Sequence, residues 1–559
     1  MHIVDWIIIC SYLIYVLWYG LKSSQNRESA IGFFLGGRNL PWWAIGLSIM
    51  ATQMSAITLI GATGQAYEDG MRFIQFYLGL PLAMVILCVT AVPLIYKAKV
   101  FTAYEYLENR FDARTRTLTS FFFLISRGLG VGVIIAAPAV IISLVLGWEE
   151  WITIFVIGLS TTFYTMRGGV QAVAWADVKQ MTIIILGLVV CISIILSTLP
   201  SEISLNDALY VAGAAEKLQT IDFRFDLNEP YTFWSGTFAA LFLFLSYFGC
   251  DQSQVQRYLC AKSIKESRIS LLMSAFLKIP LQFLILFIGI LIFIFYHFNT
   301  PPMIFNNNAA NNAQENNPEY YRELEMMHHK AYIKRRDAAL NFILNQQNPS
   351  EEISLSSYKE SHFSYIEIRE KANEFVGSAN NNSNFNDINY VFPVFIVQNM
   401  PIGVIGMIIA AILAAAMSSI SSELNSLATT STMDIYRQLI KPDGSDEDFL
   451  RFGKIATVIW GIFACIVALY ATDLGSLIEV VNKFGSFFYG SLLGVFILAF
   501  SLPQANSIGA FYGLIIGMIS VWIISSFSEI AFLWFNVFGC LITVGVGLFI
   551  SIIFKEKNH

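Results

Sequence analysis

An all-α membrane protein with about thirteen transmembrane helices is the fold class this sequence predicts, and three observations carry it. Of the 559 residues, 56% are hydrophobic and only 13% charged, far from the balance of a water-soluble domain. Apolar stretches of roughly 17–25 residues, the length that crosses a bilayer, recur along most of the chain. The polar loops between them alternate in charge, basic on one expected side and acidic on the other.

The stretches lie near 3–21, 41–66, 73–96, 118–146, 150–166, 178–199, 233–255, 269–296, 401–427, 452–472, 480–502, 507–528 and 530–554. The first opens on His2 and Asp5, is followed by Lys22 and Arg27, and has no small-residue cleavage site. A retained helix with an outside N-terminus is therefore expected rather than a signal peptide. Alternation then puts the C-terminus in the cytoplasm, in a plasma or inner membrane. Loops expected inside carry Lys97, Lys99, Arg110, Arg114 and Arg116, then Arg257, Lys262, Lys265 and Arg268, then Arg437, Lys441, Arg451 and Lys454. Short loops expected outside carry Glu149, Glu150, Asp473 and Glu479.

One segment, 297–390, breaks the apolar pattern: it is rich in asparagine and holds a charged, helix-like stretch from Glu319 to Leu344. Topology places it outside, as a lid or a disordered loop. Its Glu325, His328 and His329 read better as an amphipathic helix than as metal ligands. Seven cysteines are scattered singly without metal spacing, as packing residues are. The net charge of −6 and the lack of a basic run give no reason to expect nucleic acid, and no protein partner is evident.

Two spans are interrupted by polar and glycine residues. The second holds Gln53, Ser55, Thr58, Gly61, Thr63 and Gly64, and the seventh holds Ser246, Gly249, Asp251, Gln252 and Ser253. With 1–22 set aside as an accessory helix, these become core helices one and six, the first helices of two five-helix halves. Interruptions at corresponding places in two halves point to a transport site at the midplane, with ordinary kinks as the alternative. Core helices one to six then occupy 40–255, core helix seven 256–296, core helices eight to ten 391–502, and two accessory helices 503–559.

Within the ninth span, Ala414 to Ser422 reads Ala-Ala-Ala-Met-Ser-Ser-Ile-Ser-Ser. Hydroxyls at membrane depth are costly unless partnered, so this run implies either helix packing or an ion held by oxygens. Positions 415, 418 and 419 share a helix face, and a hard cation takes oxygen ligands. Arg127 and Lys278 are cations in or beside apolar spans, and each is a candidate for solute contact, for structural pairing or for snorkelling. No nucleophile motif or H-E-x-x-H motif suggests an enzyme. After the last span the sequence carries only Lys555-Glu556-Lys557 and two further residues, so a sensor with a cytoplasmic signalling domain is not expected.

The order of several motifs resembles the sodium:solute symporter family: Phe34-Leu35-Gly36-Gly37-Arg38, Pro41-Trp42-Trp43-Ala44, Thr102 to Glu108 with Arg110-Phe111, Ala174-Trp175-Ala176-Asp177 with Gln180, Gln256-Arg257, Leu424-Asn425-Ser426 and Met433-Asp434-Ile435-Tyr436. The resemblance implies a LeuT-type inverted repeat with one extra N-terminal and two extra C-terminal helices. It implies a sodium site at the carbonyls of Ala51, Met54 and Ala415 and the hydroxyls of Ser418 and Ser419. Similarity to sialic-acid symporters implies a second site or exit path at Asp177, Ser421 and Ser422, with helix capping as the alternative for Asp177. Tyr247 matches an inner-gate tyrosine.

The solute is not named by these matches. Ile57, Thr58 and Phe244 stand where sugar symporters carry their sugar-contacting residues, which disfavours a hexose, although Lys278 matches a lysine of those symporters. Ser55 and Thr58 match sialic-acid symporters, while Gln53 and Gly130 depart from them. The stretch from Gly132 to Asp177 resembles the iodide, monocarboxylate and vitamin branch. Gln53, Ser55, Thr58, Arg127, Lys278 and Asn482 are the solute-binding candidates. The expected function is sodium-coupled import of a small polar solute, with an organic anion favoured. A sugar or polyol symporter, and a sensor or channel on the same fold, remain the alternatives.

Overall fold

The computed structural model describes residues 1–22, 29–200, 203–346, 348–382, 385–471 and 477–554. Arg27, Asp473 and Lys555 to Lys557, used above for topology, lie outside the described residues. The described residues contain helices, connections and one isolated bridge between Leu40 and Ala261.

Among the described residues nine helices are long and apolar enough to cross a bilayer. The other expected spans are present in shorter or merged form. The first is Ile3–Lys22. The 48-residue helix Glu150–Ser197 holds two spans joined at Gly169, whose positive φ of 59° a side chain would oppose, so core helices four and five part there. Core helix one is Trp42–Gln53 followed by Ala56–Asp69, and core helix six is Ser235–Gly249 followed by Gln252–Leu259.

Burial identifies the centre. Within its membrane-length window, 89% of core helix eight is buried, against 33% for each C-terminal accessory helix, Ser507–Phe527 and Phe532–Ile553. Core helix eight (Val404–Thr430) is thus wrapped by the bundle, and its hydroxyls reach only other protein groups. The N-terminal accessory helix is fastened to it, because Asp5 accepts hydrogen bonds from the amides of Gly403 and Gly406 at 2.7 and 3.0 Å. These are first-turn donors that a helix cannot satisfy internally.

The break in core helix one contains neither glycine nor proline. Neighbouring side chains take over the backbone groups it frees, the condition for irregular backbone at membrane depth. Thr58 Oγ1 donates to the Gln53 carbonyl at 3.1 Å, Lys278 Nζ approaches the same oxygen at 3.4 Å, and Ser419 Oγ donates to the Thr52 carbonyl at 3.0 Å. In core helix six the chain turns out at Cys250, and Asp251 caps the second segment by accepting from the Ser253 amide at 2.8 Å.

The polar insert is mostly helical where described, which corrects the disordered-loop alternative of the expected lid or loop. Asn307–Asn316, Pro318–Leu344 and Glu351–Ala379 are helices with their own apolar contacts among Met303, Leu324, Ala372 and Val376. Arg335 donates to the Tyr296 carbonyl at 2.9 Å, and Arg369 pairs with Asp387 at 2.8 Å while reaching the Tyr67 hydroxyl at 3.4 Å. The insert therefore rests on the end of core helix one. His328 is buried against Tyr365, as the inward face of an amphipathic helix requires. Two boundaries shift: core helix six runs to Leu259, beyond 255, and the helix Ile388–Asn399 begins before 391.

Candidate functional site

Core helices one, five and eight meet in a continuous polar network. Ser418 Oγ donates to Asp177 Oδ1 at 2.5 Å, Ser48 Oγ donates to Asp177 Oδ2 at 2.6 Å, and Arg257 Nη1 reaches Asp177 Oδ2 at 3.1 Å while also bonding Ser48. Thr52 Oγ1 bridges the Ser48 carbonyl and Ser422 Oγ at 2.9 and 3.2 Å, and Ser421 Oγ donates to the Ser418 carbonyl at 3.0 Å. Asp177, Ser418, Ser419 and Ser421 are fully buried.

The residues expected at the first ion site thus gather where core helix eight crosses the break. Ser419 touches the Thr52 carbonyl, Ala51 and Met54 flank it in the chain, and Ala415 lies one helical turn from Ser418 and Ser419. The Met54 amide turns back to the carbonyls of Met50 and Ala51 at 3.0 and 3.2 Å. The donors are carbonyls, hydroxyls and one carboxylate, the oxygen set a hard cation takes. Ser418 of the first expected ion site donates to Asp177 of the second, so the two sets form one network.

Beside this network a cavity of about 120 Å³ opens between core helices one, six, seven and eight, core helix three (Ala113–Leu146), core helix ten (Leu477–Ser501) and the Gly70–Tyr77 turn that leads into core helix two. All the solute candidates, Gln53, Ser55, Thr58, Arg127, Lys278 and Asn482, line it, as does Tyr247. Asn482 Nδ2 donates to the Ile478 carbonyl at 2.8 Å, and the Tyr247 hydroxyl accepts from Gln254 at 2.8 Å.

The two cations of the cavity differ in their partners. Arg127 donates to Glu423 Oε1 at 3.1 Å and bonds both Asp251 and the Tyr489 hydroxyl, with its guanidinium 5.2 Å from the Tyr247 ring. Its charge is already met by two carboxylates, which is the structural pairing named among its alternatives, while its side chain still lines the cavity. Lys278 is 1% exposed and has no carboxylate partner among the described residues. Its ammonium lies 3.0 Å from Met54 Sδ and 5.4 Å from the centre of the Tyr77 ring.

Three participants escape the sequence reading. Arg257, expected as a loop charge, is buried and paired with Asp177. Glu423 follows Ser422 directly, and a lone carboxylate inside an apolar span was the signal that would have found it. Tyr489 has no such signal; only the fold brings its hydroxyl to Arg127.

Discontinuous helices opening two halves of a bundle, with a polar cavity and a buried oxygen network at their breaks, define a secondary transporter of the LeuT-like class. The family model of the sodium:solute symporters matches residues 33–326 and 366–517. The chain belongs to the sodium:solute symporter family and is a sodium-coupled symporter. It is 27% identical to the sodium/sialic acid symporter SiaT of Proteus mirabilis, over all of this chain and 96% of that one. It is 26% identical to the human sodium/iodide cotransporter, over 91% of this chain and 67% of the relative. The Vibrio parahaemolyticus sodium/glucose cotransporter is 25% identical over 92% and 84%. A solved structure of a Na+-coupled sialic acid symporter, substrate-bound and outward-open, superposes with a TM-score of 0.76 at 26% identity, covering 99% of this chain and 98% of that one.

Proposed function

We propose that this symporter imports a small solute bearing a carboxylate, coupled to two sodium ions, by alternating access. Lys278 is the observation that carries the reading. A buried ammonium without a counter-charge is costly, and a carboxylate entering the cavity supplies that counter-charge. The second half of core helix one begins at Ala56 beside the same cavity, and its first-turn amides add donors for an anion. The names of relatives that carry sialic acid and monocarboxylates agree with this class.

The first sodium is assigned to the carbonyls of Ala51, Met54 and Ala415 with Ser418 and Ser419, and the second to Asp177, Ser421 and Ser422. The contact of Ser419 with the Thr52 carbonyl supports a role for the first ion in tying core helix eight to core helix one. One inward charge at about 100 mV contributes roughly 2.3 kcal/mol, and a tenfold sodium gradient adds about 1.4 kcal/mol. Two ions supply roughly 7 kcal/mol, reduced by about 2.3 kcal/mol for a monoanion. The N-terminus and the insert lie outside and the C-terminus inside the cell membrane. The protein works as a transporter rather than an enzyme, without an obligate partner.

Uptake into proteoliposomes under an imposed sodium gradient, with short-chain carboxylates and hexoses as competitors, tests the reading. Competition by carboxylates, weakened in Lys278→Gln, supports it. Competition by hexoses alone overturns it.

A further inference from the structure

The insert helix Pro318–Leu344 packs one face against its neighbours and leaves the other uncovered. Tyr321, Leu324, His328, Ala331, Tyr332 and Arg335 are buried. On the opposite face Met326 is 68% exposed and Ile333 38% exposed, and with Glu325, His329, Lys330 and Lys334 they line a shallow open groove.

Charge along this face changes sign at its middle. Residues 319–326 carry Glu319, Glu323 and Glu325 with Arg322, and the exposed side of 330–337 carries Lys330, Lys334 and Arg336 with Asp337. Within the helix this order is unfavourable, because Glu319 and Glu323, and likewise Lys330 and Lys334, are like charges four residues apart. The helix dipole does not account for the basic half, since its effect is confined to the last turn and both lysines lie well before Leu344. Glu323, Glu325, Lys330 and Lys334 form no ion pair among the described residues, and Arg336 meets its neighbour Asp337 in an exposed contact of 3.3 Å.

The face complements itself about a point between His329 and Lys330. Met326 and Ile333 lie at equal distances on either side of that point, and the acidic half mirrors the basic half. Glu323 and Lys334 are eleven residues apart in the sequence, about three turns, so they share one edge of the face, and Glu325 and Arg336 share the other. A second helix laid antiparallel about this point sets Met326 against Ile333, Glu323 against Lys334 and Glu325 against Arg336, each contact made twice. Lys330 and His329 then fall at the two rims, where their ends reach water.

We infer that this face binds a second copy of the chain as an isologous, antiparallel helix pair. One helix pair is smaller than the roughly 1,600 Å² of a standard interface, so the association is reversible and of the weak class. The family model breaks off at 326 and resumes at 366, which leaves Lys330, Ile333, Lys334 and Arg336 outside the matched residues.

The test uses the full chain in liposomes, with an added oxidant, over about a hundredfold range of protein-to-lipid ratio. Cysteines at 326 and 333 of one chain would lie about 10.5 Å apart along the helix, beyond disulfide reach, so a bridge between these positions joins two copies. Met326→Cys protein co-reconstituted with Ile333→Cys protein should give several-fold more covalent dimer than either variant alone, with wild type setting the background of the native cysteines. Adding Glu323→Lys/Glu325→Lys to both variants should lower the cross-linked fraction at least about tenfold. Combining Glu323→Lys/Glu325→Lys/Met326→Cys with Ile333→Cys/Lys334→Glu/Arg336→Glu should restore it, because every rim pair is attractive again. A mixture that cross-links no more than the single variants at any ratio overturns the interface, whatever else the face binds. Charge reversal without effect, or Met326→Cys cross-linking to itself more than to Ile333→Cys, also overturns it.

Discussion

Replacing Asp177 by asparagine keeps the shape of the side chain and removes the anionic partner of a buried arginine. Asp177 accepts from Ser418 at 2.5 Å, from Ser48 at 2.6 Å and from Arg257 at 3.1 Å, and none of these groups reaches water. Removing one member of a buried pair costs about 3–5 kcal/mol, because the other charge is left uncompensated. Arg257→Gln should cost a similar amount. The double variant leaves no unpaired charge, so its loss should fall well short of the sum of the two. Apparent melting temperatures in potassium buffer read this term free of any sodium effect. In sodium buffer Asp177→Asn should also titrate with a lower Hill coefficient, having lost the second ion. An Asp177→Asn protein that melts with the wild type in potassium and keeps the wild-type sodium titration would refute both the pairing and the ion assignment.

Lys278→Gln should raise the apparent KM for a carboxylate-bearing solute at least tenfold with unchanged protein abundance, measured by uptake against membrane-fraction quantification. Gly289→Ala places a methyl about 2.3 Å from the Thr63 carbonyl oxygen, where core helix seven meets the second half of core helix one, and should destabilise by about 1–3 kcal/mol in a melting assay. In the insert, burial first and then neighbouring arginines push the imidazoles of His328 and His362 down to about 3. Their neutral forms are favoured in the folded protein, so their contribution is fully present above pH 6.5 and is lost as pH falls from 6.5 toward 3. The slope is about 1.4 kcal/mol per pH unit for each histidine. Limited proteolysis of the insert should accelerate across that window and slow again in the His328→Phe/His362→Phe protein.

The spans are legible because hydropathy and length report membrane crossing directly, and the two broken helices because polar and glycine residues interrupt them at corresponding places in the two halves. The serine run was legible for the same reason, and Ser418 and Ser419 do meet core helices five and one. What stayed hidden depends on contacts distant in sequence. Thr52 and Gln53 carry no helix-breaking signal; the freed Thr52 carbonyl is met by Ser419 and that of Gln53 by Lys278 and Thr58. Arg257 looked like a flanking charge because it lies near Lys262 and Lys265 in the chain, whereas the short second segment of core helix six turns it inward to Asp177. Arg127 was recognised as a costly cation, but its partners lie 124 and 296 residues away. The fold of the insert was hidden by its polar composition, since its buried face is assembled from three helices that each look solvated alone.

The central claim is that sodium binds oxygens on core helices one and eight and stabilises the protein by joining them. Melting the purified protein in sodium and in potassium at equal ionic strength tests it without any solute. At a sodium concentration a hundredfold above Kd, one site adds about 2.7 kcal/mol of stability. Wild type should therefore melt higher in sodium, and most of that sodium-minus-potassium difference should vanish in Ser418→Ala/Ser419→Ala, whose melting in potassium is itself lower because Asp177 and the Thr52 carbonyl lose their hydroxyl donors. Identical melting of the wild type in the two salts, or a sodium effect undiminished in the double variant, would contradict the account.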